Sequence, residues 1–145
     1  MTFEVVETQA ARHAVAIAKD AAAAAAAAAD VIVCVSGDGI IHEVVNGLYE
    51  GGGGGLKNIA IVHVPGGTGN GLSLSLGCHS PLEALLNVFN GRVCAHDLAV
   101  MEQQSSPAYV SFLSVAWGLV SDVDLGNGLG FRVKGLGFRV LVMSV

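Results

Sequence analysis

Two short apolar runs, each emptying into a glycine-rich turn, restrict the folds open to this chain more than any other feature. The first is Val31-Ile-Val-Cys-Val-Ser-Gly-Asp-Gly39, which continues as Ile40-Ile-His-Glu-Val-Val-Asn-Gly-Leu48; the second is Asn58 to Val64, followed by Pro65-Gly-Gly-Thr-Gly-Asn-Gly71. Continuous apolar runs bounded by turns are the pattern of buried parallel strands. A strand, a glycine turn and a helix in succession is how open α/β sheets build phosphate sites at the carboxyl ends of their strands. The expected fold is therefore α/β, an open parallel sheet forming a nucleotide-binding domain, with one carboxylate, Asp38, inside the first turn.

The rest of the chain fits around that nucleus. Thr2 to Thr8 carries β-branched residues and reads as a short strand, and Gln9 to Ala29 as a helix ending in nine consecutive alanines. Helix Ile40 to Tyr49 places Ile40, Val44, Gly47 and Leu48 on one face. Gly51 to Gly55 reads as a flexible surface connector. The second glycine turn leads into a helical stretch through Leu76, and Pro81 to Asn90 forms another helix stopped by Gly91. Beyond Arg92 the alternation ends: Val93 to Met101 and Ala108 to Val120 are strand-like and separated by the polar turn Gln103 to Pro107, the signature of a hairpin or meander.

At 145 residues and 52% hydrophobic, the chain can bury one core of ordinary domain size, or one domain and part of another. A net charge of -5 gives it no overall attraction to nucleic acid. The local exception is Arg132, Lys134 and Arg139, three of seven basic residues, which can meet a phosphate or anionic surface or simply form a solvated edge. Cys34, Cys78 and Cys94 lack the spacing of a disulfide framework or metal knuckle and read as reduced thiols of a cytosolic protein. The N-terminus has no signal-peptide pattern. The longest apolar stretch, Ala108 to Val120, is broken by Ser111, Ser114 and Gly118 and falls short of the roughly 20 residues of a membrane span.

Several chemistries lack their motif. The chain has neither G-x-G-x-x-G nor G-x-x-x-x-G-K-[ST]. His42-Glu43-Val-Val-Asn46 stops one histidine short of a zincin helix, G-x-S-x-G is absent, and no metal site is expected. Ser36-Gly37-Asp38-Gly39 and Pro65-Gly66-Gly67-Thr68-Gly69-Asn70 remain. Glycines flanking Asp38 let a triphosphate approach the backbone closely while the carboxylate faces a reacting oxygen or its metal. A tight turn in which Asp38 makes Asx hydrogen bonds is the alternative for the first turn taken alone; two such turns after successive strands favour the phosphate site.

These two segments, with Ser114-Val-Ala-Trp-Gly-Leu-Val-Ser-Asp-Val-Asp-Leu125, closely resemble the sphingosine kinases among the diacylglycerol-kinase-like lipid kinases, over about Thr8 to Arg139. The resemblance implies an α/β nucleotide-binding domain over residues 1–94 and, over 95–145, the beginning of a β-rich sandwich domain that binds lipid. It implies transfer of the γ-phosphate of ATP, with Mg2+, to the primary hydroxyl of a long-chain sphingoid base. By the same resemblance Asp38 is the catalytic acid, and Thr8, Ser36, Gly37, Gly39, Gly66, Gly67, Thr68, Gly69, Asn70, Arg132 and Arg139 contact the nucleotide. Asp124 meets the sphingoid head group; Asp122 shares its strand face and is an equal candidate by spacing, and Leu119 faces the acyl chain. Glu43 either assists Asp38, holds the turn, or interacts with the helix N-terminus. Trp117 is read as core.

The chain departs from the family in two ways. Gly126 to Gly137 breaks the family spacing before the arginines, and the family's first strand, with its Asn-Pro glycine turn, has no counterpart ahead of Thr2. The expectation is a fragment with little activity alone, from a cytoplasmic enzyme that touches membranes peripherally and binds no nucleic acid. Kinases acting on diacylglycerol, ceramide or NAD, and an inactive module of the same fold, would carry the same two turns.

Overall fold

The computed structural model describes residues 2–24, 29–52, 54–104 and 106–114 and the backbone of 139–143. In chain order these residues form α1 (His13–Ala23), β1 (Val31–Ser36), α2 (Asp38–Glu50), α3 (Gly54–Asn58), β2 (Ala60–Pro65), α4 (Gly71–Ser75), α5 (Pro81–Phe89), β3 (Leu98–Glu102), β4 (Tyr109–Ser111) and β5 (Arg139–Met143).

The expected α/β core is present. β1 and β2 pair in parallel without a slip, from Val31 opposite Ala60 to Ser36 opposite Pro65. Both strands therefore end at one level, and the two glycine turns leave from the same end of the sheet. β3 and β4 form the expected antiparallel hairpin, and β5 pairs with the other edge of β3, giving the order β4-β3-β5.

Helix α2 joins these parts. Its Ile41 and Leu48 are fully buried, and they share one apolar cluster with Cys34 of β1, Ala14 and Ala18 of α1, Val100 of β3 and Val110 of β4. Removing a side chain of that size from water stabilises the fold by roughly 1.5–3 kcal/mol. The contact between α1 and α2 depends on small residues. A methyl at Gly47 would strike the Val15 carbonyl and come within 2.8 Å of Ala18 Cβ, so only glycine lets the helices meet at this distance. The alanine-rich helix is thus matched to a glycine on its neighbour.

Four sequence expectations are corrected. Thr2 to Thr8 forms no strand; Phe3 and Val5 are 87% and 77% exposed, because among the described residues no strand lies beside them to share a ladder. Helix α1 begins at His13 rather than Gln9 and ends at Ala23, with residues 25–28 outside the described set. The glycine run is not a loose connector: Gly54–Asn58 is a helix whose Gly55 is buried close to Leu48 and Ala22. Finally, β1 is not buried on both faces. Val31, Val33 and Val35 are 37%, 46% and 75% exposed while Cys34 is buried, because the described helices cover only one side of that strand. Smaller shifts have the same cause: β3 starts at Leu98 rather than Val93, where a pairing partner first becomes available.

Candidate active site

The two glycine turns touch backbone to backbone. A Cβ built on Gly67 would lie 2.5 Å from Gly37 Cα, and Gly66 N–H donates to the Ser36 carbonyl at 2.9 Å. Any side chain at position 67 would force the turns apart. Gly37 is the N-cap of α2, which places Asp38 on the helix's first residue, where the helix dipole favours a negative charge.

Asp38 does not fold back on its own turn, as an Asx turn would have it. Its Oδ2 accepts Gly71 N–H at 2.7 Å and its Oδ1 accepts Leu72 N–H at 3.0 Å, both at the start of α4. One carboxylate therefore ties the first turn to the end of the second, through charge-assisted bonds stronger than neutral ones. Its side chain stays 27% exposed, so a ligand can still reach it. Leu113, after β4, is 46% exposed and lies within 3.4 Å of where a Gly71 Cβ would be, setting an apolar surface beside the acid.

The second turn braces itself. Asn70 adopts the left-handed conformation that asparagine tolerates, and its amide accepts from Gly67 N–H at 2.8 Å and donates to the Gly67 carbonyl at 2.6 Å. The amides of Gly66, Gly67 and Gly71 are thereby occupied. Among the described residues, the exposed Thr68 and Gly69 keep theirs free for an anion. Gly39 is exposed, and a Cβ added there would meet nothing within 4 Å, so the protein itself does not need glycine at that position. The Ser36 hydroxyl donates to the Gly37 carbonyl at 3.0 Å.

Other candidates stand apart from this cluster. Glu43 neither touches Asp38 nor holds the turn; its carboxylate accepts Arg12 N–H at 3.0 Å and Ala14 N–H at 3.2 Å, capping α1. That contact helps hold Arg12 at a φ of 64°, a left-handed conformation that costs a non-glycine residue about 1 kcal/mol. Thr8 is exposed and makes no hydrogen bond to either turn. Arg139 opens β5 opposite Glu102. Trp117, Leu119, Asp122, Asp124 and Arg132 lie outside the described residues.

Three polar residues escape the sequence reading. His63 on β2 is buried; its Nε2 donates to the Ser36 carbonyl at 2.9 Å and its Nδ1 lies 3.9 Å from Asp38 Oδ1. Asn46, dismissed as a failed metal ligand, is buried and binds both backbone groups of Val110 at 2.8 Å. His42, one turn earlier, packs near Tyr109 and Phe112, and burial pushes its pKa down against the opposing pull of Glu43. The Cys34 thiol is pushed up to about 11 by burial, so it is no nucleophile at neutral pH.

Among the described residues no set of side chains builds a cage for a metal ion. Both oxygens of Asp38 already accept backbone amides, and no three His, Cys, Asp or Glu side chains converge among the described residues.

Similarity to known proteins agrees with this geometry. Over 127 residues the chain is 37% identical to sphingoid long chain base kinase 4 of Schizosaccharomyces pombe, covering 86% of this chain and 27% of that protein. It is 38% identical over 129 residues to sphingosine kinase 1 of Arabidopsis thaliana, covering 84% and 26%, and 33% identical over 140 residues to human sphingosine kinase 2, covering 86% and 20%. The chain thus spans about a quarter of the length of the curated relatives it matches. Residues 1–101 match the diacylglycerol kinase catalytic domain, and the chain belongs to that family.

Proposed function

We propose that the protein carrying this chain phosphorylates the primary hydroxyl of a sphingoid long-chain base with ATP. The observation that carries the reading is the placement of Asp38: partly exposed, clamped by the amides of Gly71 and Leu72, at the contact between two glycine turns. The curated names of the relatives supply the substrate class.

In this reading the phosphates lie over the open side of Gly39 and against the free amides of Thr68 and Gly69, with Ser36, Gly37, Gly66, Gly67 and Asn70 shaping the floor. Nearby amides neutralise charge without reorganising during the reaction. Mg2+, brought by the nucleotide, supplies further charge neutralisation. The acceptor hydroxyl lies at Asp38, whose carboxylate orients it and takes its proton, with the lipid chain leaving past Leu113 and Leu119. Asp124 or Asp122 holds the ammonium of the base, and Thr8, Arg132 and Arg139 complete the nucleotide contacts. The protein works in the cytoplasm and meets its substrate by peripheral membrane contact; no helix among the described residues is long and apolar enough to cross a membrane.

The test is a radiolabelled ATP assay on the full-length protein with sphingosine, diacylglycerol and ceramide in parallel. Sphingosine is the expected acceptor, and Asp38→Asn is expected to lower kcat by about 10²–10⁴ because the amide keeps the shape but cannot take a proton. Wild-type turnover by that variant refutes the role of Asp38, and preference for diacylglycerol or ceramide refutes the substrate class. The 145-residue chain alone is expected to turn over little or no sphingosine.

A further inference from the structure

His63 is the one buried polar side chain beside the candidate acid that the proposed reaction leaves without a task. Its side chain is only 1% exposed. A carbonyl oxygen can only accept, so Nε2 donates to the Ser36 carbonyl at 2.9 Å, and an imidazole with one ring proton carries it on Nε2. Nδ1 is then a bare lone pair. It is fully buried, has no hydrogen-bond partner, and faces Asp38 Oδ1 at 3.9 Å. Two acceptors facing each other, one of them fully buried, do not attract. A buried polar atom left in this state destabilises the fold, so its persistence needs a reason.

The arrangement becomes favourable once Asp38 carries a proton. An O–H on Oδ1 would point at the Nδ1 lone pair, and a closure of the 3.9 Å gap by about 1 Å would turn the mismatch into a hydrogen bond. We infer that His63 is a positioning residue for phosphoryl transfer, receiving a hydrogen bond from Asp38 after Asp38 has taken the proton of the acceptor hydroxyl. This rests on the proposed kinase reaction. The hydroxyl O–H breaks, and its electron pair forms the bond to the γ-phosphorus. The bond from that phosphorus to the bridging oxygen breaks, and its pair leaves with ADP. The proton taken by Oδ1 ends shared between Oδ1 and Nδ1. An interaction present only after proton transfer lowers the barrier without tightening substrate binding, so it acts on kcat rather than KM.

The register strengthens the assignment. Cys34 stands opposite His63 on β1, and although its buried thiol, pushed up to about 11, keeps its S–H, it makes no hydrogen bond to Nδ1. The imidazole is held from the far side by a carbonyl that also receives Gly66 N–H at 2.9 Å, so its ring orientation is tied to the contact between the two turns. His63 thus senses the same junction that Asp38 bridges.

Two substitutions separate the nitrogens. His63→Gln keeps a donor for the Ser36 carbonyl and removes the acceptor facing Asp38; His63→Asn keeps an acceptor near the Nδ1 position and loses the bond to Ser36. In the full-length protein, His63→Gln is expected to lose roughly tenfold in kcat with KM for ATP and sphingosine little changed, and His63→Asn to recover part of that loss. A glutamine variant turning over within twofold of the parent, or one whose loss falls on KM, overturns the inference. Nitrogen NMR of the histidine-labelled full-length protein gives a reading independent of activity and of either variant's folding. The expected resting signal is an unprotonated Nδ1 without a hydrogen bond, whereas a proton on Nδ1 overturns the assignment. A parent protein that does not phosphorylate sphingosine would sink the kinase reading, while the NMR result would still decide the state of His63.

Discussion

Replacing Asn46 by leucine is the sharpest test of how α2 is held. The Asn46 side chain behaves as a short piece of strand. Its Oδ1 accepts Val110 N–H and its Nδ2 donates to the Val110 carbonyl, both at 2.8 Å, while Nδ2 also donates to the His42 carbonyl at 2.8 Å. Val110 is fully buried and lies on the strand at the edge of its three-stranded sheet. Leucine keeps the branched shape, with bulkier ends, but leaves that N–H and C=O without partners. Each orphaned backbone group costs about 1–3 kcal/mol, and the extra apolar burial returns roughly 1 kcal/mol, so the net loss is about 3 kcal/mol. For a chain of this size that corresponds to a fall in Tm of roughly 10 °C. Asn46→Asp is the matched control: it keeps an acceptor for Val110 N–H but turns a carboxylate oxygen toward two carbonyls, and is expected to cost at least as much. Urea unfolding followed by circular dichroism, with hydrogen exchange at the Val110 amide, measures both. A leucine variant within 1 kcal/mol of the parent, with Val110 still protected, would show that the amide bridge is dispensable and that apolar contacts alone hold α2 to β4.

Two further outcomes follow from the site. Gly39→Ala should not harm the fold and should raise stability by up to about 1 kcal/mol, since alanine is the better helix former and its methyl meets nothing. It should also raise KM for ATP roughly tenfold, because the methyl occupies the side on which the phosphates are placed; an unchanged KM would move the nucleotide elsewhere. Cys34 gives a pH signature. Its thiol is raised in the folded protein from 9.0 to about 11, so its contribution to stability is complete below pH 9.0 and is lost as pH climbs through about 11. The loss amounts to about 3 kcal/mol, read as the pH-dependent part of the stability difference between the parent and Cys34→Ala. Alkylation at pH 8 should correspondingly modify the exposed Cys94 and spare Cys34.

Legibility in the sequence followed the range of the interaction. The parallel strand pair, the helix after Gly37 and the hairpin around Gln103 were readable because periodicity and turn residues act over a few positions. The apposition of the two turns was also readable, since successive parallel strands must end together. What escaped depends on partners far along the chain. Asn46 looked like a missing histidine because its function is set by Val110, 64 residues away. Glu43 looked like a helper of Asp38 because the α1 backbone it caps lies 29 and 31 residues earlier. His63 is one polar residue in an apolar run, and nothing local distinguishes it from an ordinary strand histidine. The glycine run at Gly51 read as loose because the alanine of α1 that Gly55 packs against is invisible to any local rule.

These long-range contacts converge on one helix, which suggests how the site keeps its shape. The first residue of α2 bridges to the second glycine turn, its sixth caps α1, its ninth clasps β4, and its tenth is the glycine that admits α1. The acid and the structural anchors therefore lie within three turns of a single rigid element. A helix rises about 1.5 Å per residue, so Asp38 and Asn46 are separated by roughly 12 Å along its axis. A displacement of β4 against α2 reaches Asp38 without passing through any loop. Leu113, three residues beyond Val110, touches the same spot from the other direction, beside Gly71 and the Asp38 carboxylate. If the proposed lipid path past Leu113 is correct, truncating Leu113 should disturb catalysis and acceptor binding together, because its side chain packs beside Gly71 and Asp38.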